Sequence, residues 1–410
     1  MTALAILAAR AVRLAIRVLR PGGGSAAPGL VANRLAPTLL VDVINSFPEG
    51  LVIVSGSSGK STTTSMLSAL LRAHGLSVFT NHSTANIRQG LMSALLSEIT
   101  LAGRARASIA VLEMDEAHGA KIVAELAPTT VVLTNVMTDQ IDRFADPRDV
   151  AQMLEVIALR ATRHLVLNAD DAFVNAMPSS PEAVVSRYGV AESVIAELPH
   201  GLGNLRTTPT RLVDGVIVES VLDYSTRLRI RGVAVNVDLP ARGVHYAIDL
   251  AAAVAAALAI LGDSFDPTLA QQALSALAPV FGRGERVTVQ GKLVELVLVQ
   301  NPTSFQLNID HLPPSIEQLL VAVGSDVRDP SYLWPVDTSS LGSVVTVSGS
   351  QAEEMALQLA YRGVSVGAVE PDLLRALDDF IALPDPADGV KTIVFSADSM
   401  RRTRRHWRLT

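Results

Sequence analysis

The chain contains no cysteine, only four lysines and few aromatic side chains, 4% of the total. Without cysteine there is no disulfide framework, thiolate zinc site, iron–sulfur cluster or cysteine nucleophile within this polypeptide. Any thiol chemistry coupled to it must come from a second chain. Scarce Tyr and Trp leave no stacking platform for bases. A net charge of −6 and a pI of about 5.8 do not provide the basic stripe that nucleic acid requires, so no nucleic-acid partner is expected. The eight histidines lack metal-ligand spacing, and no Ser-His-Asp pattern is visible, so zinc hydrolysis is not expected.

What the chain does have is length and hydropathy. At ~100–200 residues per domain, 410 residues predict two or three domains, each able to bury a core. The mean hydropathy is +0.34. A membrane span needs ~20 mostly apolar residues. The longest run, Leu250 to Leu261, is shorter and mostly alanine, which fits a buried helix. The segment Ala3 to Leu19 is apolar but interrupted by Arg10, Arg13 and Arg17, which with Arg20 recur at helical spacing. A signal peptide would place its charges before the apolar run. The pattern predicts an amphipathic helix, packed either on its own domain or on a membrane surface.

Along the chain, short apolar runs alternate with helical patterns. Leu51 to Val54, Ser77 to Thr80, Ile109 to Glu113, Thr130 to Asn135 and His164 to Asn168 predict buried strands, hence an α/β fold with a parallel, doubly wound sheet. From about Ser186 to Asp238 the texture changes to short antiparallel or edge strands. An alanine-rich helix, Tyr246 to Leu261, follows. The segment from Phe281 to Arg286 reads as a loop. Candidate strands from Val294 onward predict a second α/β unit. The expected domains are residues 1–48 (helix and linker), 49–286 (with a reduced insert at about 186–238) and 287–410.

The strongest chemical signal lies between Val52 and Thr64. A strand leads into Ser55-Gly56-Ser57-Ser58-Gly59, then Lys60-Ser61-Thr62 opens a helix. Glycines let backbone N–H groups close on phosphate oxygens, and the helix N-terminus adds positive partial charge. Lys60 is placed to reach the β- and γ-phosphates, and the Ser61 hydroxyl to bind Mg²⁺. The loop departs from the common consensus at Val54. An ordinary glycine turn would not explain the Lys-Ser pair. In doubly wound sheets ligands bind beyond the strand carboxyl ends. That places Glu113 near a nucleotide-bound metal, and Thr134-Asn135 and Asn168 to Asp171 near the nucleotide. Asp115 and Glu116 read as capping carboxylates. Asp139 and Asp142 read either as residues of an active-site loop or as helix caps.

These residues, in this order, resemble the Mur ligase superfamily of ATP-dependent ligases: the Gly56-to-Thr62 loop, Glu113, Thr134-Asn135, Asn168 to Asp171 and Gly282-Arg283. The resemblance is closest to the MurT family, the ligase subunits of lipid II isoglutaminyl synthase. It is carried by Pro28 to Ala32, Thr80-Asn81, Asp139 to Arg143, Gln300-Asn301-Pro302 with Phe305, and Asp329 to Asp337. It implies a Mur-type fold with a central ATP-binding domain and a C-terminal Rossmann-like domain. It further implies ATP and Mg²⁺, with Lys60, Glu113 and Asp337 catalytic and Ser61 and Glu113 on the metal. Gly56 to Thr62, Asn135, Asn168, Asp171 and Arg283 would hold the nucleotide. The implied reaction amidates the D-glutamate α-carboxyl of lipid II through an acyl phosphate, with ammonia from a GatD-type glutaminase. In the family an aspartate completes the partner's catalytic group; Asp337 is the first candidate and Asp329 the second. The implied location is cytoplasmic, at the inner face of the membrane. The sequence also departs from the family. The zinc-ribbon cysteines are absent, so no zinc is expected. Ser58 replaces an asparagine, Gln300 a lysine and Pro335 an aspartate, and Tyr246 and Asp249 stand where asparagines are expected. Two alternatives remain open: another Mur-type carboxylate–amine ligase, and a non-catalytic ATP-binding paralogue.

Overall fold

A computed structural model describes residues 2–19, 27–81, 88–137, 146–203, 212, 214–277, 283–313, 316–328 and 333–409. The loop carrying Asp139 and Asp142, and residues 329–332 with Asp329, lie outside these.

The first sheet is built on strands that are apolar throughout. β1 (Leu51–Ser55), β2 (Val78–Thr80), β3 (Ile109–Glu113), β4 (Thr130–Leu133), β5 (His164–Asn168), β6 (Val184–Val190) and β7 (Val216–Leu222) run parallel in the order β2-β3-β1-β4-β5-β6-β7. Every residue of β1, β3 and β4 is buried, as expected for strands covered on both faces. β8 (Ser225–Ile230) and β9 (Val233–Asp238) extend the sheet antiparallel. Thus β6 to β9, where the sequence predicts an insert, continue the central sheet instead. β6 joins β5 in parallel, and the polar alternation marks strands with one solvated face.

One face of this sheet packs on helices Lys60–Ala73 and Val244–Leu261. In the latter, Leu250 to Ala257 are all buried. This helix is long and apolar enough to cross a membrane, but it is the inner layer of the domain. The opposite face packs on helices that include Arg88–Glu98 and Pro147–Ala158. The N-terminal helix, Thr2–Leu19, joins that face through Ala5, Ile6 and Ala9.

The second sheet has six strands: β10 (Arg283–Val289), β11 (Lys292–Leu298), β12 (Leu319–Ala322), β13 (Ser343–Ser348), β14 (Ser365–Glu370) and β15 (Lys391–Phe395). They lie in the order β10-β11-β15-β12-β13-β14, parallel except for the β10–β11 hairpin. Arg283 to Arg286, expected as a loop of the central domain, therefore form an edge strand of the second unit. Glu285 is held there by Arg404 at 2.6 Å, and Arg286 donates to the Tyr224 hydroxyl across the junction.

Buried polar groups tie the central strands together. The Tyr188 hydroxyl donates to the Leu133 carbonyl at 3.0 Å, and Asp170 accepts from the Val190 N–H at 2.7 Å. Burial raises the Asp170 carboxyl to about 7, opposed by that hydrogen bond. In the unfolded chain the same group ionises near ~3.9. Between these values the folded state holds the proton and the unfolded state does not, so this group's contribution to stability falls as pH rises from about 4 to 7. Asp170→Asn is therefore expected to stabilise the protein by an amount that is small at pH 4, grows with pH, and levels off above pH 7 at about 2–4 kcal/mol. Thermal melts of both proteins across that range check it. A gain independent of pH would refute the assignment.

Candidate active site

The phosphate loop takes its shape from glycines and from the end of β4. Gly56 has φ +135°, and a side chain there would strike the Thr134 hydroxyl. Gly59 has φ +81° and immediately precedes helix Lys60–Ala73; a Cβ there would fall 2.1 Å from Asp249 Oδ1. Thr134 Oγ1 donates to the Ser58 carbonyl at 2.7 Å. Asn135 Oδ1 accepts from the Ser58 N–H at 2.9 Å, and Ser57 Oγ accepts from the Met137 N–H at 3.0 Å. Asn135 thus shapes the loop as well as lining the cleft beside it. A left-handed residue other than glycine costs about 1–2 kcal/mol. Gly59→Ala is expected to combine that strain with displacement of Asp249. ATP binding by calorimetry should weaken at least about tenfold, and unchanged affinity would show that the loop does not hold nucleotide.

Lys60 Nζ donates to the carbonyls of Gly56 and Ser57 and pairs with Glu116 Oε2 at 3.3 Å. Glu116, expected as a cap, is therefore a member of the site. Asp115 is the cap, accepting from the N–H groups of Ala117 and His118. The Ser61 hydroxyl donates to Glu113 Oε2 at 2.7 Å. Glu113 is fixed from behind by Asn81, whose amide exchanges two hydrogen bonds with the Glu113 backbone. A hydroxyl beside a buried carboxylate is the hard-oxygen donor set that Mg²⁺ takes, completed by phosphate oxygens and water. Ser61 and Glu113 would hold the ion, and it would supply charge neutralisation at the transferring phosphoryl group. Thr62 is buried in the first turn of the helix and lines the adjoining cleft.

That cleft opens between the two units. The central unit contributes Ser58, Gly59, Asn135, Asn168, Tyr246 and Asp249; the second unit contributes Leu298, Gln300, Ser304 and Asn308. Asn168 is held by its donation to the Thr134 carbonyl at 2.9 Å. Asp171, expected to contact nucleotide, does not line the cleft. It caps helix Ala172–Asn175 and accepts from the Val136 N–H at 2.8 Å, so it braces the loop behind the site. Burial raises its carboxyl above the ordinary range. Arg283 begins β10, and its side chain lies outside the described residues. Ser304, Asn308 and His245 are lining residues that sequence reading missed; they are cleft-facing only because two distant elements meet, and no local motif marks them.

Asp337 is not beside Lys60. Its backbone exchanges two hydrogen bonds with the Gln306 side chain. Its carboxylate accepts from the Ser339 N–H at 3.0 Å and lies 3.5 Å from His200 Nε2. The Ser339 hydrogen bonds hold the carboxyl below its usual range. The Asp337 side chain is 35% exposed, at the surface rather than in the nucleotide cleft. His200 also meets Asp310 at 3.0 Å, joining the central unit to the second.

Comparison with known proteins follows the same division. Residues 54–257 match the model of the Mur ligase middle domain, and residues 298–393 the MurT ligase C-terminal model. The chain is 27% identical over 401 aligned residues to the MurT subunit of the glutamine-hydrolysing lipid II isoglutaminyl synthase of Streptococcus pneumoniae, covering 88% of this chain and 87% of that one. It is 30% identical to the corresponding subunit of Staphylococcus aureus over 168 residues, 41% of this chain and 37% of that one. Among solved structures, it superposes on a MurF ligase from Thermotoga maritima in complex with ADP with a TM-score of 0.67 at 18% identity, covering 92% of this chain and 83% of that one. The folylpolyglutamate synthase of Mycobacterium tuberculosis gives a TM-score of 0.60 at 17% identity, with 97% and 98% covered. The fold and the phosphate-loop cleft, with these relatives, define an ATP-dependent ligase of the Mur type. Within that superfamily, the chain is similar along most of its length to a MurT subunit, and its second unit matches the MurT C-terminal model.

Proposed function

We propose that this chain is the ligase subunit of a two-chain amidotransferase acting on the stem peptide of lipid II at the inner face of the cytoplasmic membrane. The α-carboxylate of D-glutamate attacks the γ-phosphorus of ATP, giving an acyl phosphate and ADP. Ammonia then adds to the acyl carbon, phosphate leaves, and the amide remains. Lys60 and the N-terminus of helix Lys60–Ala73 offset charge on the transferring phosphoryl group, which is where such a site stabilises a transition state most. Glu113 and Ser61 hold Mg²⁺. The two units around the cleft exclude water from the acyl phosphate.

The observation that carries this reading is the second unit. The central domain is common to Mur ligases that add amino acids, whereas residues 298–393 match the MurT C-terminal model. The ammonia comes from a partner glutaminase that brings the nucleophilic cysteine this chain lacks. Asp337 fits the role of orienting that partner's catalytic group, being ionised, fixed through Gln306 and accessible. Helix Pro302–Ile309 links this position to the cleft: Gln306 grips Asp337, while Ser304 and Asn308 line the cleft.

The test is reconstitution. The chain, co-expressed with a glutaminase from the same genome, should form a heterodimer that converts lipid II glutamate to isoglutamine with ATP and glutamine. Mass spectrometry of the product reads the loss of one acid and gain of one amide. Ligation of an amino acid without glutamine dependence would favour the stand-alone Mur ligase instead. Tight ATP binding with no turnover would favour a non-catalytic paralogue.

A further inference from the structure

The N-terminal helix buries one apolar face and exposes another. Residues at positions 4, 7 and 14 share one helical face, and on Thr2–Leu19 that face points outward: Leu4 is 71% exposed, Leu7 49% and Leu14 67%. The inward face is made of Ala5, Ile6 and Ala9, with Arg10 turned in to donate to the carbonyls of Leu96 and Ile99. An arginine is thus satisfied inside while leucines stand in solvent. The adjoining helix Ala27–Leu35 repeats the pattern, exposing Leu30 and Leu35. Scattered exposed leucines need no explanation, but three on one helical face beside a contacting helix that exposes two more do.

Charge indicates what covers it. Residues 1–48 hold five arginines and a single acidic residue, Asp42, in a chain whose net charge is −6. The segment that carries the leucine stripe is therefore net positive in a net negative chain. An apolar helix face in a basic segment is the composition that seats a helix in the interface of an anionic bilayer. We propose that the Leu4, Leu7, Leu14 and Leu30 face docks on the anionic surface of a lipid bilayer. In the context of the proposed function, which this inference extends, it would hold the cleft near a substrate anchored in that bilayer.

The test is independent of catalysis. The full chain, and separately its complex with the glutaminase, is mixed with vesicles of equal parts phosphatidylglycerol and phosphatidylcholine, and with vesicles of phosphatidylcholine alone, then sedimented. Both preparations are expected to bind the anionic vesicles at least about tenfold more tightly than the neutral ones, less so at high salt. Leu7→Gln with Leu14→Gln changes exposed residues only, so the fold and ATP affinity should stay unchanged while vesicle binding falls at least about tenfold. Failure to bind, or binding indifferent to the two substitutions, would overturn the proposal. So would a dimer that the substitutions dissociate, or a glutaminase complex that no longer binds vesicles, since either would show that a protein covers the face. Vesicle binding without amidation would leave the docking intact and reject the reaction; amidation without vesicle binding would do the reverse.

Discussion

Replacing Lys60 with Met is expected to reduce ATP-dependent ligation at least about 10²–10³-fold, the scale on which removing one preorganised electrostatic contact acts. The substitution keeps the length and apolar stem of the side chain but deletes the ammonium that holds Gly56, Ser57 and Glu116 together. The loss should fall mainly in kcat, because charge on the transferring phosphoryl group is greatest in the transition state. The helix begins at this residue whichever side chain it carries, so thermal stability should change little. A Lys60→Met protein with near-normal turnover would remove the phosphate loop from the mechanism.

Asp337→Asn is expected to separate the two nitrogen sources. With glutamine, amidation should fall by about two to four orders of magnitude, as it does when the carboxylate that orients a catalytic imidazole is neutralised elsewhere. With a high concentration of ammonium salt it should stay close to the unsubstituted rate, because Asp337 does not line the nucleotide cleft. The backbone contacts to Gln306 do not involve the substituted atoms, so the loop should hold its place. Equal losses with both sources would move Asp337 into the ligase reaction itself; no loss with either would leave it structural.

Much of this was readable before any coordinates, for a physical reason. Val52-Ile53-Val54 has no polar member, so it must be buried on both faces, and the glycines after it leave few backbone paths into a helix that starts with Lys60. The strand-end rule then brings Glu113 to Ser61, 52 residues apart in the chain. Other features hide. Glu116 looks like a first-turn cap because its partner Lys60 is 56 residues away. Asp171 looks like a ligand because strand-end acids often are, yet its oxygens are taken by backbone N–H groups of the next turn and of Val136. Arg283-Gly284-Glu285-Arg286 looks like a loop because an edge strand with a solvated face tolerates the same charges. Asn308 and Ser304 reach the cleft only through the meeting of two separately folded units.

The alanine-rich helix has a last consequence. Of the eight residues from Leu250 to Ala257, all buried, six are alanine. A methyl group has no rotamers to lose on burial, so these positions add no side-chain entropy cost to folding. It has none to rearrange either. The helix that opens at the phosphate loop packs in the same core, through Met66, Leu67, Leu70 and Leu71. A larger residue in place of a buried alanine would overpack this layer, and part of the mismatch would pass to the helix carrying Lys60. The composition that makes the chain so hydrophobic is thus also what gives the nucleotide site a stiff floor.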